Sequence, residues 1–312
     1  MVSIAILGAT SQIAKDFISY AMRKTQHSLV LFSRRPHQIQ DWLREEHGPS
    51  DSVSLPYEAF LGGEFDAIIN FIGSGDPARI AGMGGSIIEI TYEFDNLALA
   101  YVHKHPQVRY IYISSGAAYG STFLEAAQRE TRAEFPINDL SASDFYSIAK
   151  MHAECRHRAM SGASIIDIRI FNYFSRTSDL AARFFVTDVV RAIHRNEILQ
   201  VGETSMSRDF LVPPDFAHLI NCVLDAAPVN FPIDAYSRAP VEKFELLDRM
   251  QDEFGLRYET VPTPAIILAT GAKPQYYSAN RRAAELGFTP AHSSIDGVVL
   301  EARAMLERLR DK

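Results

Sequence analysis

The fold is decided by the stretch Val2-Ser-Ile-Ala-Ile-Leu-Gly-Ala-Thr-Ser-Gln-Ile-Ala14. Residues 2–7 form a short apolar run that is typical of a buried parallel strand, and Gly8 begins a tight turn into a segment with apolar residues at helical spacing. A second apolar run, residues 28–32, follows that segment and completes a βαβ unit. The sequence therefore predicts a parallel sheet whose first strand leads into a phosphate-type turn.

Three more strand-like runs follow and alternate with helix-like sequence, at residues 66–71, 109–114 and 165–171. Alternation of this kind is typical of a doubly wound parallel sheet, the Rossmann-type α/β fold. We expect a dinucleotide-binding domain over residues 1–171. A smaller substrate-binding lobe, interleaved with returning sheet elements, is expected over residues 172–312.

The composition indicates an ordinary globular chain. Its 312 residues are 47% hydrophobic and carry a net charge of −7, and the basic residues are scattered. This disfavours nucleic acid and anionic membranes as partners. Cys155 and Cys222 are expected to be packing residues, because two isolated cysteines do not make a disulfide framework. With no charged leader before the first strand, we expect a cytoplasmic protein. We expect no metal site.

The turn after the first strand matches a cofactor phosphate site only in part. Backbone N–H groups and the helix dipole attract negative charge at such a turn. Gly8 is present, but Ser11 and Ala14 stand where dinucleotide-binding motifs carry further glycines. A tight turn without a ligand is the competing interpretation. The candidate cofactor contacts in this turn are Gly8, Thr10, Ser11, Gln12 and Ile13.

The end of the second strand indicates which cofactor is preferred. Ser33, Arg34 and Arg35 follow that strand, and no carboxylate stands there. A carboxylate would accept the ribose 2′-hydroxyl of NAD, whereas a basic residue would meet the 2′-phosphate of NADP. We therefore predict NADP(H), with NAD(H) less favoured. The alternative is that the two arginines form a solvated corner.

Tyr146-Ser-Ile-Ala-Lys150 places a phenol and an ammonium one helical turn apart. A fixed cation favours the phenolate, so we expect a lowered tyrosine pKa and proton exchange near neutral pH. Tyr20 and Lys24 have the same spacing, but a solvated helix face explains them. The later pair follows Ser115, whose hydroxyl lies at the end of a predicted strand and could bind a substrate carbonyl.

The helix that carries this pair is predicted to begin at a candidate cap, Ser141 or Ser143. Its predicted packing face consists of Phe145, Ile148, His152 and Cys155. Further helices are predicted in the second lobe, over residues 178–194, 243–254 and 295–309.

Together these residues resemble the extended short-chain dehydrogenases/reductases, the branch that includes nucleotide-sugar epimerases, dehydratases and 4-keto reductases. The resemblance covers nearly the full chain. It extends to Asn70-Phe-Ile-Gly73, Asp95-Asn96-Leu-Ala-Leu, Arg169-Ile-Phe-Asn172 and Arg208-Asp-Phe-Leu-Val-Pro-Pro-Asp215.

The resemblance implies roles for several of these residues. Phe71 and Gly73 would lie beneath the nicotinamide, and Lys150 would bind the nicotinamide ribose. Asn172 and Arg208 would contact the substrate diphosphate. The family's four-helix dimer contact, through the helices at residues 96 and 146, implies a possible homodimer.

Two departures from the family pattern matter. Gly116-Ala117 stand where sugar 4,6-dehydratases carry an Asp-Glu pair, so the acid and base of that elimination are missing. Family substrate contacts near the C-terminus are replaced around Ala272-Lys273.

Three functional hypotheses follow. The first is an NADPH-dependent reductase of a keto group, on a nucleotide-linked 4-keto sugar or another small carbonyl compound. In it Tyr146 protonates the oxygen, Ser115 orients it, and Asn96 organises a proton-relay water. The second is a nucleotide-sugar epimerase with retained NAD(P), and the third is a non-catalytic NADP(H)-binding sensor or scaffold.

Overall fold

The computed structural model describes residues 1–49, 52–73, 77–120, 123–262 and 273–310. Within these ranges the chain forms fourteen strands. They are β1 (Ser3–Leu7), β2 (Ser28–Phe32), β3 (Val53–Leu55), β4 (Ala67–Asn70), β5 (Arg109–Ser115), β6 (Ser164–Ile170), β7 (Asn172–Tyr173), β8 (Ile198–Gly202), β9 (Ser207–Arg208), β10 (Phe210–Leu211), β11 (Asn230–Asp234), β12 (Val241–Glu242), β13 (Arg257–Val261) and β14 (Gln275–Tyr276).

Nine α-helices connect these strands in the same ranges. They are α1 (Gln12–Lys24), α2 (Pro36–His47), α3 (Pro77–Met83), α4 (Ser86–Lys104), α5 (Ala142–Ala159), α6 (Phe185–Arg195), α7 (Pro213–Asp225), α8 (Lys243–Phe254) and α9 (Ser294–Arg310). Short 3₁₀ helices occupy Tyr57–Gly62, Gly116–Tyr119 and Arg282–Leu286. No helix in the described ranges combines the length and hydrophobicity that a bilayer crossing requires.

Seven parallel strands form the main sheet, in the order β11-β6-β5-β4-β1-β2-β3. The chain winds outward from β1 to β3 and then in the other direction from β4 to β6. The winding direction therefore reverses between β1 and β4, where ligands bind in open α/β sheets. The predicted Rossmann-type doubly wound sheet is confirmed.

Both faces of this sheet are buried. On one face α1 and α7 pack against the strands, with Phe17 and Phe216 in a continuous core. On the other face Tyr101 and Tyr110 belong to a second core that involves α4 and α5. Burial on both sides explains why the strands read as unbroken apolar runs rather than as alternating patterns.

A further core forms between α6, α8 and α9, around residues such as Val189, Leu247 and Val298. Between these helices the chain returns to the main sheet, where α7 packs on α1 and β11 pairs with β6. The helix predicted over residues 178–194 begins only at Phe185, after a series of turns. The domain boundary predicted at residue 171 stays a prediction.

Helix α5 buries a polar face, and the predicted packing face is wrong. His152 and Cys155 are exposed, whereas Lys150, Glu154 and His157 are buried. These polar groups are tolerated inside because hydrogen bonds and ion pairs to other buried groups satisfy them. A search for apolar spacing cannot identify such a face.

Candidate active site

The Ser115 hydroxyl lies beside the Tyr146 phenol at the carboxyl end of β5, where it opposes the rise that burial causes in the pKa of the phenol. Ser115 ends β5 and caps the 3₁₀ helix that follows, where its Oγ accepts a hydrogen bond from the Ala117 N–H at 3.1 Å. Tyr146 lies near the start of α5, which opens with a capping box between Ser141 and Asp144. The side chain of the other candidate cap, Ser143, lies outside the described residues.

Lys150 follows one turn later on α5 and is only 3% exposed. Its Nζ donates to the Ile113 carbonyl oxygen at 2.8 Å and to Tyr112 Oη at 3.1 Å. The same Nζ lies 6.0 Å from the ring centroid of Tyr146. A Cβ at Gly73 would approach Nζ to 3.4 Å. The ammonium is therefore fixed between β5, α5 and the segment after β4.

Three buried carboxylates oppose the loss of charge from Lys150. Burial lowers the pKa of this ammonium to about 8, and Glu154, Asp95 and Asp167 counteract the shift. His157 bridges two of these carboxylates, at 2.7 Å from Asp95 and 2.5 Å from Asp167. Burial alone would lower the pKa of His157, but the two carboxylates raise it to about 9. The buried face of α5 is thus a charged network beneath the site.

The phenol of Tyr146 is held in its protonated form. Burial raises its pKa, and the hydrogen bond with Ser115 opposes that shift. The predicted lowering of this pKa by Lys150 is not found, since the ammonium hydrogen bonds to β5 instead. A protonated phenol is suited to donate a proton.

A second phenol, not predicted from the sequence, reaches the same serine. Tyr276 Oη lies 3.4 Å from Ser115 Oγ, and β14, which carries Tyr276, pairs with β9. Asn172 Nδ2 donates to the Tyr276 carbonyl oxygen at 3.3 Å. Burial raises the pKa of the Tyr276 phenol. Tyr276 lies in a segment without a regular apolar pattern, so the sequence did not indicate it. The one sequence feature nearby was Lys273, in the segment where family substrate contacts are replaced.

Two cations flank the ring of Tyr276. Arg208 Cζ lies 5.9 Å and Lys273 Nζ 4.6 Å from the ring centroid. Burial lowers the pKa of Arg208 to about 10. Burial, and then the charge of Arg208, lowers the pKa of Lys273 to about 8, with Asp144 opposing. Neither cation forms an ion pair with a carboxylate in the described part of the chain, so the pair is suited to an anion.

The turn after β1 requires its glycine. Gly8 has a φ of 79°, and a Cβ there would lie 2.9 Å from Ile72 Cγ1 and 3.0 Å from the Ile72 nitrogen. Ser11 caps α1, and its Oγ accepts from the Ala14 N–H at 3.4 Å. Glycine is therefore required both for the backbone conformation of this turn and for its close approach to the segment after β4, and the turn leads directly into α1.

The other predicted residues around this turn differ in what they can offer. Thr10 is exposed and Ile13 is half-buried. Gln12 Nε2 donates to Ser175 Oγ at 2.7 Å, so its side chain is engaged within the protein. Phe71 packs in the core, which leaves only its backbone for a cofactor.

The residues after β2 fit the adenosine end of a dinucleotide. Ser33 Oγ is buried and has no hydrogen-bond partner among the described residues. Arg34 and Arg35 are exposed, and neither pairs with a carboxylate of a described residue. Burial raises the pKa of the nearby Tyr57 to about 12, while the backbone of Gly8 and the charge of Arg34 oppose this shift.

Asn96 does not join the site. It is exposed on α4, and its Oδ1 accepts from Arg156 Nη2 at 2.9 Å. Within the described residues no contact joins it to Ser115 or Tyr146. The proton-relay role predicted for Asn96 is therefore not supported by the structure.

Position 116 leaves no room for the carboxylate that dehydratases carry there. A Cβ on Gly116 would lie 2.5 Å from two ring carbons of Phe171. Since Phe171 is buried against Tyr119, Phe123 and Tyr276, the ring cannot simply turn away.

Solved structures with this fold include several nucleotide-sugar enzymes. The dTDP-glucose 4,6-dehydratase of Bacillus anthracis, in complex with NAD, has a TM-score of 0.78 at 14% identity, over 99% of this chain and 98% of that chain. The UDP-glucose 4-epimerase of Bifidobacterium longum, in complex with NAD⁺ and UDP, has a TM-score of 0.75 at 15% identity, over 98% of each chain. The UDP-glucuronic acid 4-epimerase of Bacillus cereus, in complex with UDP-glucuronic acid and NAD, has a TM-score of 0.77 at 14% identity, over 98% of this chain and 99% of that chain. Likeness at these identities establishes the fold.

No curated protein matches the chain significantly in sequence. The model of the NAD-dependent epimerase/dehydratase family matches residues 4–233, from β1 into β11. This span includes Ser115, Tyr146 and Lys150 and covers well over half of the chain. The resemblance noted in the sequence is confirmed: the chain belongs to the NAD-dependent epimerase/dehydratase family.

Proposed function

We propose that the protein is an NADPH-dependent reductase of a keto group on a nucleotide-linked sugar, with a 4-keto sugar as the favoured substrate. The observation that carries this proposal is the placement of the Ser115 hydroxyl beside the Tyr146 phenol, with the ammonium of Lys150 fixed one turn away. A carbonyl oxygen placed between the two hydroxyls would receive two hydrogen bonds at the carboxyl edge of the sheet.

The side chains divide the work as follows. Tyr146 donates its proton to the carbonyl oxygen, because burial keeps the phenol protonated. Ser115 orients that oxygen, and the positive charge of Lys150 stabilises the phenolate that forms. A bound nicotinamide would supply the hydride for the carbonyl carbon.

The residues of the turn and of the first strands fit a dinucleotide. Gly8 allows the tight turn into α1, whose first backbone N–H groups would bind phosphate, and Ser33 offers a buried hydroxyl without a partner among the described residues. The proposed cofactor contacts are Gly8, Thr10, Ser11, the backbone of Gln12, Ile13, Ser33, Arg34, Arg35, the backbone of Phe71, Gly73 and Lys150.

The preference for NADP(H) over NAD(H) rests on Arg34 and Arg35. Both guanidinium groups are exposed and unpaired with described carboxylates, so a 2′-phosphate would be attracted to them. The solved relatives named above hold NAD, and this corner is where we propose that the present chain differs. Equal dissociation constants for NADPH and NADH would contradict the preference.

We assign the substrate diphosphate to Arg208 and Lys273, whereas the Nδ2 group of Asn172, which the family resemblance also implied, already donates to the carbonyl oxygens of Asp209 and Tyr276. The first two supply two partly buried positive charges beside Tyr276, and a diphosphate supplies matching negative charge. Tyr276 lies between these cations and Ser115, so it would contact the sugar between its keto group and the diphosphate.

A nucleotide-sugar epimerase with retained cofactor is the second candidate. It is favoured by the UDP-sugar 4-epimerases among the solved structures with this fold. Both candidates use the same three residues, but only the reductase consumes NADPH. The glycine at position 116 argues against a dehydratase, because a larger side chain there would meet Phe171.

The chain offers a matched pair of variants for the test. Tyr146→Phe removes the proposed proton donor, whereas Tyr20→Phe removes the phenol of the other Tyr-x-x-x-Lys segment, in α1. We expect Tyr146→Phe to lower the rate of NADPH oxidation by at least about 10²-fold and Tyr20→Phe to leave it nearly unchanged. A Tyr146→Phe protein with full activity would exclude this mechanism and the epimerase alternative together.

A further inference from the structure

A separate cavity of about 300 Å³ lies beside α5, β6 and the edge strand β11. Four arginines line it: Arg129, Arg158, Arg169 and Arg282. The carboxylate in the lining is that of Glu154, which is buried and already bound by Arg169 at 2.5 Å. None of the side chains proposed above for catalysis or cofactor binding belongs to this lining in the described part of the chain.

The four guanidinium groups come from different parts of the fold. Arg158 lies on α5, Arg169 near the end of β6, and Arg282 at the start of a 3₁₀ helix, while Arg129 lies in the loop before α5. They therefore approach the cavity from several directions. Asp167, which is fully buried, contacts Arg158 at 2.9 Å without lining the cavity.

Some of their donor atoms lack a partner within the described structure. Nε and Nη1 of Arg158 are buried and form no hydrogen bond with any described residue. Glu285, outside the lining, lies 3.2 Å from Arg129 Nη1 and 3.7 Å from Arg282 Nε, so it balances part of the charge of those two arginines. Burial lowers the pKa of Arg158, the carboxylates of Asp167 and Glu154 oppose this shift, and the charges of Arg169 and Arg282 add to it. Buried donors without acceptors destabilise a protein, so the Arg158 guanidinium needs an acceptor that the described residues do not supply.

We propose that this cavity binds a phosphate group, either as free phosphate or as part of a small phosphorylated metabolite. Guanidinium groups bind phosphate oxygens with paired N–H donors, and a tetrahedral phosphate can accept such pairs from several directions at once. The volume is at the lower end of the range for small-molecule sites. The site is distinct from the cations Arg208 and Lys273, which we assign to the substrate diphosphate.

Cys155 provides a reporter, because it is exposed and lines the cavity. The chain has one other cysteine, Cys222, so the variant Cys222→Ala leaves a single thiol. In this background we would measure alkylation of Cys155 by anionic iodoacetate and by neutral iodoacetamide, at constant ionic strength. If the cavity binds phosphate, inorganic phosphate should slow alkylation of Cys155 by iodoacetate in a saturable way. Glucose 6-phosphate should have the same effect, whereas glucose should have none.

Variants of the cavity and of the substrate site separate the two anion sites. Arg129→Gln and Arg282→Gln are each expected to raise the phosphate concentration for half-protection by about 10-fold, the effect of losing a charged hydrogen bond. Arg208→Gln is expected to leave it unchanged. Titration calorimetry with inorganic phosphate on the same proteins gives an independent dissociation constant.

Tighter protection by glucose 6-phosphate than by phosphate supports a metabolite as the ligand, and equal protection supports free phosphate. Absence of phosphate binding in both measurements would overturn the proposal. Binding that is lost in Arg208→Gln but kept in both cavity variants would overturn it as well, because the phosphate would then occupy the substrate site.

Discussion

Replacement of Lys150 by methionine should change how the stability of the protein depends on pH. The side chain is 3% exposed, and burial lowers its pKa from 10.5 to about 8. Between these two pH values the unfolded chain holds a proton on Lys150 that the folded chain has released. The free energy of unfolding therefore rises with pH across this window, whereas below about pH 8 both states are protonated and this contribution is constant.

The size of the effect follows from the pKa change. A fall from 10.5 to about 8 corresponds to about 3 kcal/mol over the whole window. Between pH 8 and pH 9.5 the wild type should gain about 2 kcal/mol relative to Lys150→Met. Loss of the two hydrogen bonds, to Tyr112 and to the Ile113 carbonyl, lowers the free energy of unfolding of the variant by a similar amount at every pH. Most other titrating groups are the same in both proteins, so their contributions cancel in the comparison.

Urea unfolding of both proteins without cofactor, at several pH values from 6.5 to 9.5, measures this difference. Lys24→Met is the matched control for the substitution itself, because it removes an exposed ammonium from the other Tyr-x-x-x-Lys segment. A wild-type advantage over Lys150→Met that stays constant or shrinks above pH 8 would refute the reasoning.

Three further perturbations follow from the site. Tyr112→Phe removes an acceptor of the Lys150 ammonium, so kcat/KM should fall about 10-fold or more, and an unchanged value in steady-state kinetics would deny Tyr112 a positioning role. Gly116→Ala should lower the free energy of unfolding in urea by about 1–3 kcal/mol, because its Cβ meets the ring of Phe171. A second change, Phe171→Leu, should recover part of that loss. A single variant as stable as the wild type would show that the ring moves freely. Arg208→Gln should raise KM for a nucleotide-linked sugar about 10-fold with little effect on reduction of a small ketone, and equal losses on both substrates would place the arginine elsewhere in the mechanism.

Elements whose apolar pattern faces a core could be predicted closely. Strand β2 and helix α8 occur at the predicted residues, because local sequence and burial agree there. Helix α5 was predicted as an element, but its buried face was not. Its inward residues are polar: Lys150, Glu154 and His157. Hydrogen bonds to partners on β5, β6 and α4 stabilise them, and no local sequence pattern reveals those partners.

The candidate site shows the same division. Ser115, Tyr146 and Lys150 could be identified from residue type, spacing and the order of strand and helix along the chain. Tyr276 and Lys273 could not, because their positions depend on the pairing of β14 with β9, far away in sequence. Position 96 was chosen by resemblance alone, and its neighbour Asp95 is the residue that turns inward.

We propose that the protein transfers a hydride from NADPH to a keto sugar with net consumption of the cofactor. The most direct measurement incubates the purified protein with NADPH and a panel of nucleotide-linked 4-keto sugars, and follows nicotinamide absorbance and sugar products in the same reaction. We predict that one NADPH is oxidised for each sugar reduced, and that Tyr146→Phe abolishes both changes. Appearance of sugar isomers without oxidation of NADPH would contradict the claim and identify an epimerase instead.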